Sequence, residues 1–215
     1  GLGRTRVIYT SDHGENAGAR GQWGKSKHHE EASGIPIIIA GEGVPVGKIS
    51  RTPVSLVDVH SSIINWTIAE GPDAGELPGR CLFEIAMADD DPDRVAFSEY
   101  HAAKSPSGSF MIRKGRYKYL HYVGFELELL DLESDLEEEH DLSGGPLYVD
   151  VLRDYEAILR NMIDPEDIDR QANAAQKEVI ERAGGPEQVF ANLVTTKSYT
   201  PVPDAINDAL RRKVE

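Results

Sequence analysis

Apolar positions in the first seventy residues fall in short runs separated by turn residues. Arg6-Val7-Ile8-Tyr9-Thr10 is β-branched and aromatic, the composition of a buried strand. It runs into the polar, glycine-containing turn Ser11-Asp12-His13-Gly14-Glu15. Ile35 to Ala40 is a continuous apolar run closed by Gly41-Glu42-Gly43, and an unbroken run predicts a strand covered on both faces. Thr52-Pro53 opens a helix whose apolar stripe is Val54, Leu56, Val57, Val59, Ile63, Ile64 and Trp66. These pieces predict part of a parallel α/β sheet, with too few strands here to close it.

Further along, the Gly/Pro/Asp-rich stretch 71–92 predicts a connection with one short helix over Leu82 to Ala88. Short strands follow at Val95–Tyr100 and Ser109–Arg113, then a Lys114-Gly115 turn into the period-two segment Arg116–Tyr122, with Glu128–Leu132 as a fourth strand. Helical spacing returns over Leu147 to Ile163 and Pro165 to Ala183, stopping at Gly184-Gly185. From Val194 onward the chain reads as extended before a last short helix. Three regions follow: 1–92 as part of an α/β core with a mixed sheet, 93–146 as a small antiparallel α+β subdomain, and 147–215 as a helical tail.

Composition narrows the function classes. The 215 residues are 40% hydrophobic and 28% charged, in the range of globular domains. A formal charge of −14 argues against non-specific nucleic-acid binding, which needs a basic face to displace counterions. No apolar run approaches the roughly 18 residues of a membrane span. One cysteine, Cys81, excludes an internal disulfide framework and a thiolate-rich metal site. The compartment stays open. A strand this close to Gly1, with no initiating Met, reads as the C-terminal part of a longer protein.

Candidate chemistry starts at Asp12-His13, which ends a strand where open α/β sheets place ligands. A carboxylate and an imidazole in one turn can hold one divalent cation, with hard oxygen suiting Ca²⁺, Mg²⁺ or Mn²⁺; a plain Asx turn is the alternative. Lys25, in Trp23-Gly24-Lys25, could neutralise an anionic oxygen beside such a metal. Glu15 is a candidate acceptor orienting His13. His101 and Lys104, after a strand, are weaker substrate-contact candidates, an exposed loop being the alternative. His28-His29-Glu30-Glu31 and the acidic stretch Leu132–Asp141 read as solvated surface rather than a second metal site. The Tyr-rich hairpin reads as packing.

Taken in order, Thr10-Ser11-Asp12-His13-Gly14-Glu15, Gly21-x-Trp23-Gly24-Lys25 and Glu30…Ile35-Pro36-Ile37-Ile38 resemble the C-terminal signature of the sulfatases, in the alkaline phosphatase superfamily with the phosphonate monoester hydrolases. Asp58, the Phe110–Tyr119 hairpin and Glu128–Asp135 extend the resemblance. It implies an alkaline-phosphatase-like core, Asp12 and His13 as ligands of one divalent metal, and Lys25 on the sulfuryl oxygens. It also implies a formylglycine nucleophile in a Cys/Ser-x-Pro-x-Arg motif of an N-terminal half. That motif is absent here: Cys81 stands in Gly79-Arg80-Cys81-Leu82-Phe83 and reads as structural. Gly34 departs from the Arg that relatives often carry. The substrate implied is a small sulfate ester, or by analogy a phosphonate or phosphate ester. The N-terminal half is the implied partner, with a homo-oligomer through the tail as a further expectation. A non-catalytic binding or structural module is the reading from another class. A phosphoglycerate mutase-like enzyme fits less well, for want of a second His/Asp ligand set.

Overall fold

The structure, a computed structural model, describes residues 5–67, 77–102 and 105–195. Two strands open it, β1 (Arg6–Thr10) and β2 (Ile37–Gly41). They pair antiparallel, with Val7 opposite Ala40 and Tyr9 opposite Ile38. The parallel arrangement predicted for these segments is therefore corrected. Without a crossover helix, the connection returns as a long loop that holds a single 3-10 turn at Ala19–Gly21 and the short α1 (Glu30–Ser33). Neither strand is covered on both faces here: residues alternate between half-buried and exposed, leaving Val7, Tyr9 and Ile38 open.

Beyond β2 lies α2 (Leu56–Thr67), followed by α3 (Leu82–Met87). The Arg6 guanidinium lies 4.4 Å from the ring centroids of both Trp66 and Phe83, fastening β1 to these helices. In α2 the buried residues are Asp58, Ser61 and Ser62, whereas Leu56, Val57 and Ile63 of the predicted apolar stripe are exposed. Ser62 links the helices: its hydroxyl donates to Asp58 O at 2.6 Å and accepts from Leu82 N–H at 2.7 Å.

The second sheet is an antiparallel meander of β3 (Val95–Tyr100), β4 (Ser109–Lys114), β5 (Tyr117–Tyr122) and β6 (Glu128–Asp131), in that spatial order. Phe97, Ile112, Tyr119 and Leu129 are paired in register across it, so their side chains share one face. The long helix α4 (Val149–Met162) packs on that face. Tyr155 donates from its hydroxyl to Lys114 O at 2.5 Å, and Leu159 is fully buried. Met111, Leu120 and Leu130 form the cluster of the opposite face. With both faces covered, Phe110, Ile112, Tyr119, Leu120 and Leu129 reach 0% exposure.

Residues to Glu166 form one compact unit and those from Asp167 a second, with α5 (Pro165–Arg182) spanning the boundary. In the second unit, Gly184 and Gly185 take left-handed φ of 97° and 90° and close α5, and Pro186 starts α6 (Pro186–Thr195), a helix the sequence pattern did not predict. The expected last helix of the tail lies outside the described residues.

Candidate active site

Thr10, the last residue of β1, delivers Asp12 and His13 to the rim of a cleft of about 580 Å³. The turn is held from inside: Ser11 Oγ donates to His13 O at 2.7 Å, and His13 N–H donates to Asp12 Oδ1 at 3.1 Å. Gly14 N–H donates to Ala32 O at 2.8 Å, and a Cβ on Gly14 would stand 2.0 Å from Glu31 O. That contact presses the turn onto α1 and admits no side chain.

His13 Nδ1 lies 2.8 Å from Gly14 O, an atom that can only accept, so Nδ1 carries the proton. In the neutral ring the lone pair is then on Nε2. It lies 3.2 Å from Asp12 Oδ2 and is met by Lys25 Nζ. A carboxylate oxygen and a bare imidazole nitrogen on one point are donors a divalent cation accepts, and an ammonium beside them suits an anion bound to that cation. Asp12 is held below the usual carboxylate range: desolvation, the largest single effect, pushes upward, but the attraction of His13, the backbone N–H bonds of Asp12 and His13, and Lys25 together outweigh it. Among the described residues no group of three His, Cys, Asp or Glu comes together as a metal cage. Asp12 and His13 thus fit two donors of a cation site whose remaining ligands would come from elsewhere.

Across the cleft stands the meander face that carries Ser98, Tyr100, Met111, Arg113 and Lys118. Lys118 is 1% exposed; it donates to His28 O at 3.0 Å and pairs with Glu138 at 2.6 Å and Glu30 at 2.5 Å. Glu138 Oε2 accepts Glu30 N–H at 2.8 Å, and the Glu138 carbonyl accepts Arg20 Nη1 at 2.8 Å. His28 Nε2 meets Ser109, and His29 Nε2 meets Glu128, each at 3.2 Å. His28 and His29 are therefore buried anchors and not solvated loop. The acidic stretch after β6 is likewise no plain surface, since Glu138 is 3% exposed and closes the same network.

The sequence-predicted residues separate clearly. Asp12, His13 and Lys25 converge. Glu15 does not reach His13; its Oε1 accepts Gly24 N–H at 2.5 Å, beside Lys25. His101 does not line the cleft. It shares strand parity with Phe97 and packs edge-on against Phe110 at 5.3 Å, on the α4 side of the sheet, 3.6 Å from Glu99. Lys104 lies outside the described residues. Cys81 is buried at the start of α3. Sequence reading missed Tyr100 and Lys118; strand parity is the signal that places both opposite His101.

Known proteins resemble this chain in sequence and in fold. The family model described as Sulfatase matches residues 2–69. Arylsulfatase K of Danio rerio is 30% identical over 185 residues, covering 82% of this chain and 35% of that protein. A solved 2-O GAG sulfatase superposes with a TM-score of 0.61 at 26% identity, covering 74% of this chain and 36% of the other. The phosphonate monoester hydrolase of Silicibacter pomeroyi shares the fold, with a TM-score of 0.59 at 24% identity over 73% of this chain and 34% of that one. These likenesses place the chain in the alkaline phosphatase superfamily. Within it, the chain belongs to the sulfatase family. It spans about a third of the length of the curated relatives it matches.

Proposed function

We propose that this chain supplies the Asp12–His13–Lys25 corner of a metal-dependent sulfuric ester hydrolase. The convergence of these three side chains at one end of the cleft carries the reading. Asp12 and His13 would hold one divalent cation, Ca²⁺, Mg²⁺ or Mn²⁺, whose charge supports the ester oxygens when bound. His13 offers Nε2 because the Gly14 carbonyl fixes its proton on Nδ1. Lys25 meets the sulfuryl oxygens and offsets charge that grows on them in the transition state. The cleft wall from Ser98 to Tyr100 and Arg113 receives the leaving group. A formylglycine nucleophile and the remaining metal carboxylates belong, in this reading, to a part of the protein outside these residues. Support comes from the names of the relatives, an arylsulfatase and a 2-O GAG sulfatase.

The test is turnover of p-nitrophenyl sulfate and p-nitrophenyl phenylphosphonate by the full-length protein, with Asp12→Ala and Lys25→Ala beside it. Losing a metal ligand, or a charge-stabilising donor in a desolvated site, costs on the order of a hundredfold or more in kcat/KM. EDTA treatment is expected to abolish turnover and one of the three cations to restore it. Undiminished activity in Asp12→Ala removes the metal assignment. Higher kcat/KM for the phosphonate ester moves the reading to phosphonate hydrolysis, which the fold shared with the Silicibacter pomeroyi enzyme favours as the second choice.

A further inference from the structure

Gln22 to Lys27 belongs to no helix or strand, yet Lys25, in its middle, must keep an ammonium group at the Asp12–His13 corner. A long, flexible side chain on an irregular segment is aimed only as well as its backbone is fixed. Lys25 is fixed from both sides. Preceding it, Gly24 has a left-handed φ of 92°; its N–H donates to Glu15 Oε1, and its carbonyl accepts Asn16 N–H at 3.0 Å and the Asn16 side-chain amide. Asn16 itself is 4% exposed. Following it, Ser26 Oγ accepts the Tyr100 hydroxyl at 2.9 Å. The first bracket is local. The second comes from β3, so the meander holds the segment from across the cleft.

We propose that Tyr100 is a positioning residue for Lys25, acting through Ser26, and that the second sheet thereby sets how tightly the site holds an anion. The proposal rests on the reading of Lys25 as a sulfuryl contact. Pinning Ser26 keeps the Lys25 backbone in one conformation, so anion binding does not have to order it. Lys25 and Lys27 both line the cleft whereas Ser26 does not, as expected of alternate residues on a stretched segment held at its middle residue. Without the Tyr100 hydroxyl the Lys25 ammonium spreads over more positions and meets the anion less often. Lys118 cannot substitute for this tether, because its contacts fall on His28, Glu30 and Ser33, beyond the segment.

The test uses full-length protein loaded with its divalent cation, inorganic sulfate as the probe and isothermal titration calorimetry as the readout. Tyr100→Phe keeps the ring and removes the hydroxyl; Ser26→Ala removes the acceptor. Each is expected to weaken sulfate about three- to tenfold, the scale of one such hydrogen bond, and the double variant no more than either alone. In a Lys25→Ala background, Tyr100→Phe is expected to change nothing further. Thermal unfolding of the same samples separates positioning from packing. Wild-type sulfate affinity in both single variants, or an equal loss from Tyr100→Phe with and without Lys25, overturns the proposal. If Lys25→Ala itself leaves sulfate binding intact, the sulfuryl reading of Lys25 fails first and the proposal with it.

Discussion

His28 gains its role from burial. Buried and bonded to Ser109, its imidazole is pushed from 6.5 down to about 4, chiefly by desolvation, with the Ser109 hydrogen bond opposing and the positive charges of Lys118, His29 and His101 reinforcing it. It is therefore neutral in the folded chain at pH 7. Between pH 6.5 and 4 the unfolded chain takes up a proton that the folded one refuses, so the stability contributed by neutral His28 falls as pH drops through that window. The full span corresponds to about 3 kcal/mol. Chemical denaturation from pH 7 to 4 is expected to show this slope, and His28→Gln to flatten it. An unchanged slope would show that another group carries it. That Asp12, His13 and Lys25 meet was legible in sequence because their order and spacing along the chain match the sulfatase pattern. The burial of His28 and Lys118 was not legible, because polar residues in a loop look alike until the sheet that covers them is in place.

Among the elements, α2 shows most directly how a helix start is built. Asp58 Oδ2 accepts Ser55 N–H at 2.8 Å, reaching back one turn as a capping-box acid does, while Oδ1 accepts Arg80 N–H at 2.8 Å and Arg94 Nη2 at 2.6 Å. The carboxylate is 0% exposed and joins α2, the segment leading to α3, and the residue before β3. Asp58→Ala would leave three donors facing a buried gap, and a loss of about 3 kcal/mol or more is expected in urea unfolding. Ser55→Ala keeps the N–H and is expected to cost under about 1 kcal/mol. A small effect of Asp58→Ala would mean that water replaces it. Helix and strand positions in this region followed from apolar spacing and turn residues. The pairing of β1 with β2 did not, because an unbroken apolar run suits a strand of either direction.

At the scale of the molecule, apolar surface stays open where the β1–β2 pair faces outward. Tyr9 and Ile38 lie opposite each other at 63% and 59% exposure, with Val7 on the same face and Leu56, Val57 and Ile63 of α2 also exposed. A patch of this kind marks a surface that another structure covers. Under the function proposed above, the partner there would be the part of the protein that holds the nucleophile. This chain, expressed by itself, is accordingly expected to self-associate in sedimentation velocity runs, and Tyr9→Lys with Ile38→Lys to lower that association. A monomer at tens of micromolar would remove the expectation. The sequence alone determined the family, the meeting of Asp12, His13 and Lys25 and most helices and strands, since each depends on local order, spacing or periodicity. Only the tertiary structure decided that β1 and β2 run antiparallel, that His101 turns to the far face of its sheet, that Tyr100 bonds Ser26 beside Lys25, and that Lys118 is buried against His28 and Glu30. Those outcomes depend on which distant residues meet across a sheet, and a chain read in one dimension carries no distances between them.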